Sequence, residues 1–109
     1  MQTWNLASLD VAPHQPQVLA SDEETRLIAL DLPAGEELGE HQTHERGFLV
    51  VVDGEVEVAQ GGSTERGGPG FLAAFAPNER RQVRAATDAR ILLVLAPWPG
   101  VGHPSRRGS

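Results

Sequence analysis

The stretch GFLVVVDGEVEVA, residues 47–59, constrains the fold more than any other part of the chain. Asp53-Gly54 marks a tight reversal, because glycine adopts the positive φ that a two-residue hairpin turn requires. Before it, GFLVVV is apolar on both faces, as a central strand with two buried sides should be. After it, Glu55-Val56-Glu57-Val58-Ala59 alternates, which directs Val56 and Val58 inward and the glutamates outward. An isolated hairpin is marginally stable at best in water, so further strands must complete a sheet.

Further apolar runs lie between turn signals. QVLAS (17–21) reads as a first short strand and TRLIALDLPAG (25–35) as a longer one ended by Pro33-Ala34-Gly35. FLAAF (71–75), QVRAA (82–86) and ARILLVLAP (89–97) continue the series. QGGSTERGGPG (60–70) reads as a long polar loop and APNERR (76–81) as a turn. Short strands at this spacing, with glycine and proline scattered throughout, predict an all-β sandwich or barrel. With 109 residues the chain reads as one domain: a core over about 24–97, an N-terminal arm 1–23 and a surface tail 98–109. Trp4 and Trp98 read as caps over the ends of the barrel or as interface residues.

Composition removes several function classes. No cysteine is present, which excludes disulfides, thiolate metal sites and thiol catalysis. All 9 basic residues are arginine, so Schiff-base chemistry on lysine is excluded as well. A net charge of −6 argues against nucleic-acid binding, which needs a basic surface. MQTWNLASLD has no long apolar core, and no run approaches the length of a membrane helix; the expectation is a cytoplasmic chain without leader or membrane contact. Arginine without lysine, with abundant alanine and glycine, fits a GC-rich bacterial coding sequence.

The order of these elements resembles the cupin superfamily. Gly35, five residues, then His41 match the start of that family's first motif, and Gly54 matches its final glycine. Gly70 and Pro77 follow the second motif with one extra residue between them. The resemblance implies a jelly-roll β-barrel with a pocket inside one end, commonly a homodimer. It also implies a set of four metal ligands for iron, manganese, zinc or nickel. Here the first histidine position is His41 and the second is Thr43. The glutamate position is Gly47, and the last histidine position falls at Arg81 or Arg80. One of four ligands is in place.

Divalent transition metals need lone-pair donors. Glycine has no side chain, and arginine stays protonated and offers only donors. His44 could join His41 only if the chain bulged or bent, since a spacing of three puts side chains on opposite faces of a regular strand. Glu40 or Glu45 could then add a carboxylate. His14 and His103 read as residues without a role in function. Arg81 has chemistry of another kind. Its guanidinium can fork onto a carboxylate in two parallel hydrogen bonds, or it can pair with Glu79, Glu45 or Glu40 at the rim.

Three functions remain open on these residues. The first is a pocket that binds a small, acidic organic molecule through His41, Thr43, His44 and Arg81, with no metal. The second is an enzyme. It would either hold a divalent metal at His41 and His44, or use His41 as general acid or base with Arg81 stabilising negative charge. The third is a non-catalytic dimeric structural or regulatory domain.

Overall fold

A computed structural model describes residues 1–41 and 44–100, the side chains of 39–41 excepted. Nine strands are present among them: β1 (Gln17–Ser21), β2 (Arg26–Leu32), β3 (Glu37–His41), β4 (Arg46–Asp53), β5 (Val56–Gln60), β6 (Ser63–Gly67), β7 (Leu72–Phe75), β8 (Arg81–Ala85) and β9 (Ala89–Ala96). They form two antiparallel sheets, ordered β1-β2-β9-β4-β7 and β3-β8-β5-β6. No described helix is long and apolar enough to cross a membrane.

The turn expected at Gly54 is present, but it is a corner between the two sheets and not a hairpin: β4 lies in the first sheet and β5 in the second, and the two do not pair. β4 and β5 flank Gly54, whose φ is +75°, and a side chain there would collide with the Asp88 carbonyl. Gly54 therefore serves the turn and also a close approach of the loop between β8 and β9. Alternation places Gly47, Leu49 and Val51 of β4 inward, with Val56 and Val58 of β5, Val83 and Ala85 of β8, and Ile91 of β9. Leu30 and Leu32 of β2 complete this core. Each large aliphatic side chain buried there contributes about 1.5–3 kcal/mol against the entropy of ordering the chain.

Three further sequence expectations are corrected. The segment 60–70 is not one loop: Ser63–Gly67 is the edge strand β6, paired along β5 from Gln60↔Ser63 to Val56↔Gly67. Gly61 and Gly62, at φ +55° and +84°, supply the two left-handed residues of a tight hairpin turn. Four of the five β6 residues are exposed, so no apolar alternation marks the strand. Its side chains are tied instead by Arg66, 2.7 Å from Glu55 and 3.7 Å from Glu57.

Arg81 does not belong to a turn but opens β8, where its backbone pairs with His41 of β3. It continues the inward phase of Val83 and Ala85. The start of the expected surface tail is packed: the Trp98 amide donates to the Glu24 carbonyl at 3.1 Å, and the Arg26 guanidinium lies 4.5 Å from the centre of the Trp98 ring. Gly100 is buried. Residues 101–109, with His103, lie outside the described residues.

Candidate ligand-binding site

The site is built where β8 faces β4 across the barrel. Because Arg81 shares the inward phase of Val83, its side chain enters the apolar interior and is only 6% exposed. Its guanidinium lies over the Phe75 ring, 4.7 Å from the ring centre. Its Nη1 is buried and has no hydrogen-bond partner among the described residues. An unpaired buried donor costs about 1–3 kcal/mol, and the ring returns only part of that through attraction of the cation to its negative face. Burial pushes the Arg81 pKa below its usual value, while the negative charge of Glu79 works against the shift. The cation persists all the same, because guanidinium is not deprotonated in proteins.

Two spaces meet at this side chain. Inside the barrel, Arg81 lines an apolar cavity of about 160 Å³ with Leu30, Leu49, Val83, Leu93 and Leu95 among its walls. Outside, it borders an open cleft of about 560 Å³ between the Gln60–Thr64 turn and the Glu79–Gln82 segment. Glu79 does not neutralise the guanidinium by an ion pair. One of its oxygens accepts the Ala76 N–H at 2.8 Å, and the other accepts from Gln60 Nε2.

Of the other residues singled out in the sequence, His41 has its backbone opposite Arg81; its side chain, Thr43 and the Glu40 side chain lie outside the described residues. His44 is placed in a bend after β3 ends at His41 and before β4 begins at Arg46. Strand alternation therefore does not govern its direction relative to His41. Among the described residues His44 is not part of the cavity wall. Arg80 lies one residue before β8 and borders the open cleft rather than the inner cavity. His14, bonded through Nδ1 to Glu36 at 2.8 Å, stands exposed on the surface.

Sequence reasoning missed the role of Glu45. Its side chain is 1% exposed, and its Oε2 accepts the backbone N–H of Gly100 at 2.7 Å. A side chain at Gly100 would collide with the His44 carbonyl, so only glycine lets the C-terminal segment pack there. Pro99-Gly100, after an apolar strand, was the sign of a docked turn, but nothing local names Glu45 as its acceptor.

At the two family ligand positions that fall on fully described residues, 47 and 81, no metal donor is offered. Gly47 stands in the glutamate position, and a Cβ built there would be 3.6 Å from Arg81 Nη2. The guanidinium thus lies within van der Waals contact of a side chain at 47, and it brings positive charge rather than a lone pair. No cluster of three or more potential metal ligands occurs among the described residues.

Comparison with known proteins agrees with this architecture. The Cupin_2 profile, described as a cupin domain, matches residues 28–96. An RmlC-like cupin protein from Desulfovibrio desulfuricans superposes with a TM-score of 0.79 at 24% identity, covering 89% of this chain and 97% of that one. KdgF from Halomonas sp. gives a TM-score of 0.73 at 22% identity, covering 82% and 85%. A conserved protein of unknown function from Streptococcus pyogenes gives 0.75 at 17% identity, covering 88% and 87%. No curated protein matches the chain. With the profile spanning well over half of its length and the double-sheet barrel in place, the chain belongs to the cupin domain family.

Proposed function

We propose that this cupin binds a small acidic organic molecule, with Arg81 as the anion anchor. The observation that carries this reading is Arg81, a residue only 6% exposed that lines an apolar cavity and has one guanidinium nitrogen unpartnered among the described residues. A carboxylate that reached it would supply the missing acceptor. Charge-assisted bonds from arginine to a carboxylate are about twice as strong as neutral ones, and a water-poor interior strengthens them further. The barrel supplies the container and Arg81 the charge, in a place where the family ordinarily supplies a metal.

A thermal-shift screen of small organic acids tests this. At a hundredfold excess over Kd, binding adds about 2.7 kcal/mol to stability, which raises the Tm by several degrees in a chain this size. Acids should produce such shifts in the wild type and not in Arg81→Met or Arg81→Gln. Shifts of equal size in all three proteins would overturn the assignment.

A further inference from the structure

We infer that the acid is a monocarboxylate carrying a compact apolar body of about four to six carbons, the size class of isovalerate or benzoate. This deepens the reading above and rests on it. Two observations set the class. The first is volume: the inner cavity measures about 160 Å³, and an apolar protein cavity of about 150 Å³ accepts benzene. The second is lining: apart from Arg81, the walls are aliphatic, with Leu30, Leu49, Val83 and Leu95 all buried. A second carboxylate placed among them would lose its hydration without gaining a partner.

One carboxylate at the guanidinium and an apolar body among the leucines is the arrangement that satisfies both observations.

Calorimetric titration of the full-length chain with benzoate, isovalerate, succinate and benzyl alcohol, repeated on Arg81→Met and Arg81→Gln, separates the outcomes. Benzoate or isovalerate should bind, and either substitution should weaken that binding about ten- to a hundredfold. Succinate and benzyl alcohol should bind at least about tenfold more weakly than the better of the two acids. If succinate binds as tightly as benzoate and isovalerate, with the same dependence on Arg81, the apolar class is overturned while acid binding stands. If no acid's binding depends on Arg81, or if benzyl alcohol matches benzoate, both the class and the anchor are overturned.

Discussion

The guanidinium of Arg81 lies 4.7 Å from the centre of the Phe75 ring, inside a barrel whose other inward side chains are almost all aliphatic. The two residues are linked by topology rather than sequence. Phe75 ends β7 in one sheet and Arg81 opens β8 in the other. The short connection between them turns through Asn78, at φ +66°. An aromatic face is a modest substitute for water around a buried cation, which leaves the site short of one acceptor.

Arg81→Met should leave stability close to that of the wild type. Removing the unpaired donor recovers about 1–3 kcal/mol, while losing the ring contact forfeits about 0.5–2 kcal/mol. Urea unfolding should therefore place the variant within about 1 kcal/mol of the wild type, whereas Leu49→Ala, a plain cavity mutation nearby, should cost about 2–5 kcal/mol. A loss at Arg81→Met as large as that at Leu49→Ala would show that the guanidinium is held by protein groups and is not waiting for a ligand.

Closure of the C-terminal segment depends on Glu45. Glu45→Ala leaves the Gly100 N–H without its acceptor and should cost about 1–3 kcal/mol in chemical unfolding. Glu45→Gln keeps an acceptor oxygen and should lose less. Equal losses in the two variants would mean that the bond to Gly100 contributes little to holding the segment.

Gly54 and Gly35 separate two reasons for glycine. Both have positive φ, but a Cβ at Gly35 meets nothing within 4 Å, whereas one at Gly54 strikes the Asp88 backbone. Gly35→Ala should cost about 1–2 kcal/mol from backbone strain alone. Gly54→Ala adds a steric clash to the same strain and should cost clearly more than that. Thermal unfolding of the pair decides; equal costs would mean that the loop after β8 yields freely.

Acid should weaken the turn between β1 and β2 through Asp22. The amides of Glu24 and Thr25, at 2.8 and 2.9 Å, donate to its carboxylate and hold its pKa below the ordinary aspartate value. The stabilisation is therefore complete above the unfolded value of about 3.9 and fades as pH falls through the lower folded value. Tm measured from pH 7 downward should show Asp22→Ala less stable than the wild type at neutral pH, with the gap closing as pH falls below the unfolded aspartate value. A gap that stayed constant into strong acid would contradict the role of the two amides.

Much of the barrel was legible because period-two alternation reports burial directly. Val56 and Val58 point inward, as their sequence pattern requires, and Gly54 marks the turn between two real strands. What escaped notice was structure held by something other than apolar burial. β6 is polar along nearly its whole length, and its only local sign is the Gly61-Gly62 turn. Arg81 was recognisable as a residue in the wrong chemical class for a ligand position, but its inclusion in β8 follows from pairing with β3, a long-range contact. Glu45 gave no local signal, since its partner is 55 residues away.

The most direct measurement is a crystal structure of the chain soaked in benzoate and, separately, in isovalerate. The assignment of Arg81 predicts, for at least one of them, a carboxylate within about 3.2 Å of the guanidinium nitrogens and an apolar body among Leu30, Leu49 and Leu95. A map in which the Arg81 nitrogens are satisfied by the protein's own side chains, and neither acid occupies the cavity, would contradict it.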